Sequence, residues 1–408
     1  MLTGRDIIYI SSIEWTFLWQ VHQEIALRLA RAGNRVLYIE NTGVRSPGIK
    51  DAGRIIARLK HWATSLRSRG VREVAPGVFV CSPLVLPPFG SPVRRAINRK
   101  VFLPAIKRAA RRLGMRDPLI WTYLPTDVAL DLIDLMRTPR SLIVYYCVAD
   151  FAQLSTDAAR LNEAEVSLLK SSDLVLANCE ELATHCGRWS DDAVHVFPPG
   201  VDLNAFPLES SNETVGDPDL DRVARLPRPL IGYVGGLHRF VDIDLIVSMA
   251  RARPEWSWVF IGPFQISVEK LANEPNIQLL GLKPHNQLVS FIQSFDVCIV
   301  PYLKTIYTNT VVPVKVNEYL AVGKPVVATN LPTISEFNAR HNVLITAENQ
   351  VEPFLRGIDE ALQWPTDGAS VVSRREVAAL CDWNLQLIAM SDLIEQKLRE
   401  KAPSPHYS

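Results

Sequence analysis

Residues 313–332 read PVKVNEYLAVGKPVVATNLP. Pro313 suits the first turn of a helix, where its missing N–H costs nothing, and Gly323 suits the stop. Pro325 then leads into Val326-Val327-Ala328-Thr329, a short apolar run of the kind buried on both sides. The stretch predicts a helix of about three turns feeding a buried parallel strand. Lys315 and Glu318 stand three apart on that helix and share a face.

The same alternation extends outward in both directions. Strands are predicted at 229–235, 256–262, 276–281, 296–301, 324–329 and 342–346, with helical patterns between most of them. The first half repeats the habit at 6–11, 35–40, 118–123, 141–147, 173–178 and 193–197. Val21, Ile25 and Leu29 recur at helical spacing before Gly33 ends that segment. Twelve such strands exceed one ordinary open sheet, and residues 207–228 are polar, Pro-containing and aperiodic. The expected fold is α/β, with two doubly wound Rossmann-like domains and the active-site cleft between them. The expected divisions are 1–206, a linker at 207–228, a second domain at 229–371, and a C-terminal helix and tail at 372–408.

The 313–332 stretch resembles the nucleotide-sugar signature of bacterial glycosyltransferases of family 4, especially those building capsules, exopolysaccharide and teichuronic acid. Their pattern P-x-K-x-x-E-Y-L-A-x-G-K-P-V-V is matched at every defined position. RPLIGYVGGLHRFVDIDLIVSMA (228–250), VFIGP (259–263), NIQLLGLKPHNQL (276–288) and DVCIVPY (296–302) are similar to other donor-domain segments of that family. LIWTYLP (119–125), ELATHC (181–186) and FPPGVDLNAF (197–206) have counterparts in its acceptor domain. The resemblance implies the GT-B fold, two facing domains with the acceptor domain first. It also implies sugar transfer from a nucleoside diphosphate sugar, without a bound metal or other cofactor and usually with retention.

Elementary chemistry agrees with several of the implied positions. A leaving diphosphate needs cations or backbone N–H donors where its charge develops. The Gly235–Gly236 turn lets backbone approach a ligand, Arg239 follows it, and Lys315 supplies a second charge. Glu318 suits ribose hydroxyls, and Asn309 and Thr310 precede its helix. Thr310 stands where many relatives carry an acid that contacts the sugar, and Pro199 stands where Asn is usual.

In the first half, VYYCVADF (144–151) resembles a strand-to-loop segment that is richer in Asp in the family. Asp150 either assists the acceptor hydroxyl or caps a helix; both readings stand. Asp242-Ile243-Asp244 looks like a metal-binding DxD motif but opens a helix, so capping is the better reading and no metal is expected.

The net charge of +1 hides an asymmetry: residues 45–116 hold 17 Lys/Arg against 2 Asp/Glu. Ile55, Leu59, Trp62 and Leu66 follow helical spacing among Arg54, Arg58 and Lys60. Ile106, Ala110 and Leu113 do so among Lys107, Arg108, Arg111 and Arg112. A basic amphipathic helix suits an anionic membrane surface or acceptor; a core-facing stripe beneath a solvated face is the alternative. No nucleic-acid module accompanies the charge. Six cysteines lack CxxC spacing and several sit in apolar runs, so they read as reduced core residues with no metal site. No run of 18 apolar residues and no secretory leader is visible.

These readings converge on a cytoplasmic glycosyltransferase, peripheral at the inner face of the cell membrane. It would add sugar to a lipid-linked or polysaccharide acceptor. Two rivals fit the same residues: a nucleotide-sugar epimerase of the same build, and a catalytically weak partner in a polysaccharide assembly complex.

Overall fold

The computed structural model describes residues 1–40, 70–89, 91–208, 217–365 and 367–401. The chain forms two compact units, Met1–Pro198 with Gln386–Ser408, and Pro199–Leu385. All twelve expected strands form, each with its ends within three residues of its apolar run.

The first unit holds an eight-stranded sheet. Its strands are β1 (Asp6–Ile10), β2 (Arg35–Ile39), β3 (Arg72–Ala75), β4 (Val78–Cys81), β5 (Leu119–Thr122), β6 (Ile143–Cys147), β7 (Leu174–Ala177) and β8 (Val194–Val196). The spatial order is β3-β4-β2-β1-β5-β6-β7-β8. All pairings are parallel except the β3–β4 hairpin. That hairpin lies inside the basic block and was not expected there. On one face Tyr9, Tyr38 and Trp121 stand in register on adjacent strands, with Tyr123 and Tyr146 packed beside them. Their hydroxyls are satisfied inside the sheet: Tyr9 meets Tyr123 at 2.5 Å, and Tyr38 meets Ser11 at 2.6 Å. His22, on the Val21–Arg31 helix, stacks on Tyr123 at 4.0 Å and touches Ser12 Oγ at 2.8 Å.

The second unit holds a six-stranded parallel sheet of β9 (Leu230–Val234), β10 (Ser257–Ile261), β11 (Ile277–Gly281), β12 (Val297–Val300), β13 (Val326–Thr329) and β14 (Ile345–Ala347). Its order is β11-β10-β9-β12-β13-β14. Every residue of β9, β10, β12 and β13 is buried, as expected of strands covered on both faces. Gly232 in mid-β9 is a packing requirement, since a Cβ there would fall 1.9 Å from the Phe295 ring. Three more glycines, 235, 262 and 281, follow or end β9, β10 and β11 at positive φ.

Three expected features take a different form. The segment 207–228 contains a helix, Pro218–Ala224, capped by Asp217 and clamped through Asp217 and Asp219 by Lys283. Residues 372–400 lie in two helices, Gly368–Ala379 and Trp383–Lys401. The second of them returns to the first unit, where Lys397 pairs with Asp192 at 2.7 Å and Lys401 with Asp173 at 2.7 Å.

The third concerns the basic helices. Residues 92–112 form a nearly continuous helix with a wide turn at Asn98–Phe102. Ile106 and Ala110 are buried, so that stripe faces the core. The exposed apolar positions come earlier: Val93, Ile97 and Val101 are 67%, 37% and 56% exposed. The expected helix carrying Arg54, Arg58, Lys60 and Trp62 lies outside the described residues.

Candidate active site

In the second sheet β9 and β12 are neighbours in space, with the intervening chain leaving in opposite directions. Ligands of doubly wound sheets bind at the carboxyl ends of strands beside such a switch. β9 runs there into Gly235–Gly236, and β12 runs into Pro301–Tyr302.

The signature helix arrives at this point. It spans Val314–Ala321, closer to two turns than three, because Pro313 is its cap rather than its first turn. Gly323, at φ +74, stops it, and Lys324 N–H returns to the Tyr319 carbonyl. Arg374 and Arg375 donate to the carbonyls of Gly323 and Ala321, satisfying the end that the short helix leaves bare. Tyr319 fastens the helix to the sheet. Its hydroxyl accepts the Val234 N–H at 2.7 Å, one residue before the glycine turn.

Lys315 reaches the glycine turn itself. Its ammonium donates to the Tyr302 hydroxyl at 2.5 Å and lies 5.1 and 4.9 Å from the ring centres of Tyr233 and Tyr302. A Cβ on Gly235 would meet Lys315 Cε at 2.9 Å, so the missing side chain is what admits the lysine. Aromatic faces hold a cation without neutralising it. Among the described residues no carboxylate pairs with Lys315, and the Gly236 N–H has no acceptor. Unspent positive charge and a free backbone donor therefore meet in one place.

Glu318 sits one turn further along, its side chain 18% exposed and 4.0 Å from His285 Nε2. Burial raises its carboxyl above the ordinary range, and His285 and Lys315 partly counter that rise. Arg239 is exposed and lies over Phe240 at 4.7 Å. Phe240 stacks on Tyr307 at 4.5 Å, which joins the Arg239 loop to the Thr308–Thr310 turn. Asn309 is partly exposed on that turn. Thr310 is 6% exposed and donates its hydroxyl to the Tyr307 carbonyl.

The structure thus gathers Gly235, Gly236 and Lys315, and ties the segments bearing Arg239, Asn309 and Thr310 through one ring stack. The sequence reading missed Tyr233, Tyr302, His238 and His285. Tyr302 had a usable signal, being the polar-tipped residue at the carboxyl end of a buried strand.

His238 packs edge-on to Tyr302 at 5.4 Å, and its Nδ1 accepts the Phe240 N–H at 3.2 Å. Burial, Lys315 and Arg239 lower its pKa to about 4. In the first unit, burial lowers His22 to about 3. Both values lie below the unfolded one, so on acidification below about pH 6.5 the unfolded chain binds protons that the folded chain refuses. Stability should therefore fall as pH drops from about 6.5 towards 4, by up to about 1.4 kcal/mol per pH unit for each histidine. Above that window neither group contributes. Melting curves across pH 4–8 would check this, with His22→Gln and His238→Gln each flattening the slope. Unchanged slopes in both variants would assign the acid sensitivity to other groups.

Asp150 lies in the first unit, just beyond the end of β6, and accepts the Ala152 N–H at 3.1 Å as cap of the Phe151–Leu154 turn. Asp242 likewise caps its helix through the Leu245 N–H, and Asp244 pairs with Lys270. Lys107 donates to the Leu135 carbonyl at 2.7 Å, which occupies its ammonium, whereas Arg108 is exposed.

Residues 228–363 match the family model described as "Glycosyl transferases group 1". The chain is 25% identical over 231 residues to a Bacillus subtilis protein named as a teichuronic acid biosynthesis glycosyltransferase, TuaH. That match spans 55% of this chain and 57% of TuaH, so little more than half of the relative's length. Among solved structures, sucrose-phosphate synthase from Thermosynechococcus elongatus superposes with TM-score 0.68 at 19% identity, over 96% of this chain and 99% of that one. HepE from Anabaena, in complex with UDP and glucose, gives 0.66 at 14% identity, over 96% and 100%. Residues 228–363 of the second unit are therefore similar to a glycosyl transferases group 1 domain, in a chain with the GT-B fold.

Proposed function

We propose that the protein moves a sugar from a nucleoside diphosphate sugar to a lipid-linked or polysaccharide acceptor in cell-surface polysaccharide assembly. The observation that carries this reading is the Lys315 ammonium, held against the Gly235–Gly236 turn by aromatic faces and left without a carboxylate partner. A diphosphate there meets the ammonium, the Gly236 N–H and the start of the Val314–Ala321 helix. Arg239 adds charge from the adjoining loop. These donors stabilise the diphosphate as the sugar departs, so no divalent metal is needed at the donor. Glu318 accepts the ribose hydroxyls, and its partly buried setting makes an unmatched ligand costly. Transfer proceeds with retention at the anomeric carbon, as in the family the sequence resembles. Asp150 serves the acceptor hydroxyl.

Calorimetric titration with nucleosides and nucleoside diphosphates tests the donor site. Charge-assisted hydrogen bonds contribute about 1.5–3 kcal/mol, so Lys315→Met should weaken nucleoside diphosphates by roughly 10- to 150-fold and nucleosides little. Glu318→Gln should weaken nucleosides and diphosphates alike. It should leave the apo protein as stable or more so, because burial already opposes the charge on Glu318. Unchanged affinity in both variants would mean the nucleotide binds elsewhere.

The same reading keeps the protein at the inner face of the cell membrane. Exposed Val93, Ile97 and Val101 recur every four residues among Arg94, Lys100 and Arg108. Among the described residues no helix is long and apolar enough to cross a membrane. Such a stripe seats in headgroups, with each cation near an anionic surface adding about 1 kcal/mol. Sedimentation should show binding to PG-containing vesicles, weaker binding to neutral ones, and loss of both in V93S/I97S/V101S. Equal pelleting of the variant and the wild type would remove this helix from the membrane contact.

A further inference from the structure

Glu165 is 6% exposed in the Ala158–Ser171 helix, and several groups converge on its carboxylate. Oε1 accepts the Tyr145 hydroxyl at 2.6 Å and faces Cys147 Sγ at 3.9 Å. Oε2 lies 3.0 Å from His185 Nε2. Cys186, on the Glu180–Gly187 helix, completes the group. The sulfur atoms of Cys147 and Cys186 and a Glu165 oxygen lie within 4.8 Å of one another, and all three residues are buried.

Three separate elements supply these atoms: the end of β6 and two helices. Thiols are weak donors, so the two cysteines do little for a buried carboxylate that must be satisfied. They are good ligands instead. Two sulfurs and one carboxylate oxygen form a donor set suited to Zn²⁺ rather than to Mg²⁺ or Ca²⁺, which prefer oxygen alone. Ligand atoms around a tetrahedral zinc stand roughly 3.5–3.8 Å apart, so the cluster needs only a small contraction. We propose that Cys147, Cys186 and Glu165, with a water as fourth ligand, bind one Zn²⁺ that staples β6 to both helices. His185 orients Glu165 from behind, as an outer-shell partner does. Binding releases the two thiol protons to solvent. These residues belong to the first unit, whereas the proposed nucleotide site is built from residues of the second. For this pair it replaces the expectation of inert core thiols.

The test uses the full-length protein, produced in zinc-supplemented medium or refolded with Co²⁺. Native mass spectrometry should find one zinc per chain, and stripping it with a chelator should lower the melting temperature of the first unit. The cobalt form should show thiolate-to-metal charge transfer and the visible bands of a tetrahedral site. Cys147→Ser and Cys186→Ser should each abolish those bands, while Cys298→Ser, buried in the second unit, should keep them. His185→Ala should weaken zinc by about 10- to 100-fold. If the serine variants fail to fold, the wild-type cobalt spectrum and zinc stoichiometry still decide. Absence of both in the wild type, cobalt bands surviving in folded serine variants, or a Cys147–Cys186 disulfide in the non-reduced peptide map would each overturn the proposal.

Discussion

Gly262→Ala is expected to cost the second unit more than about 4 kcal/mol and to abolish nucleotide binding with it. The new Cβ would lie 2.1 Å from the Gly235 carbonyl oxygen and 3.1 Å from the Gly236 nitrogen, at φ +144. Both neighbours are backbone, so no rotamer change relieves the clash. Relief requires moving the Gly235 turn, whose N–H is held by Ile261 at 2.7 Å, and that carries the turn away from Lys315. Gly281→Ala is the control. Its φ is +68 with no atom within 4 Å of the new Cβ, so only the left-handed penalty of roughly 1–2 kcal/mol applies. Denaturant unfolding of the two variants measures the contrast, and similar small losses would show that the two turns do not abut.

Asp150→Asn should slow sugar transfer by about 10²–10⁴-fold while leaving the melting temperature and donor binding in place. The contact to the Ala152 N–H is a capping bond that Asn makes equally well, so this exchange removes the charge and keeps the turn. Asp150→Ala supplies the complementary measurement, with a stability loss of about 1 kcal/mol from the missing cap. Transfer per folded molecule that survives in Asp150→Asn would leave Asp150 a cap alone.

The strands were legible because each is a local apolar run, and the signature helix because Pro313 and Gly323 bracket it. Its length was overestimated, since Pro313 occupies the cap with extended backbone and contributes no helical turn. The β3–β4 hairpin was hidden by its neighbours. Two strands of four residues around Pro76–Gly77 carry little periodicity, and the surrounding charge pointed to a helical, solvated block. At the candidate site Lys315 and Glu318 were picked out by the resemblance of their helix to the family signature, and their spacing put them on one face. The ring of Tyr233 comes from β9 and that of Tyr302 from the chain just beyond β12, and only the order of β9 and β12 brings them to the lysine. Cys147, Glu165 and Cys186 likewise lie 18 and 21 positions apart and show no pattern until the chain is folded.

The return of residues 386–401 to the first unit has a consequence for biosynthesis. A ribosome making about 5–20 residues per second needs roughly 10–40 s to travel from Pro198 to Gln386. Throughout that interval the eight-stranded sheet lacks the helix whose lysines hold Asp192 and Asp173. The second unit, contiguous in the chain, emerges whole and is able to close first. A released chain truncated after Leu385 should thus present a protease-resistant second unit beside a first unit still open to cleavage, although most of the first unit was made earlier.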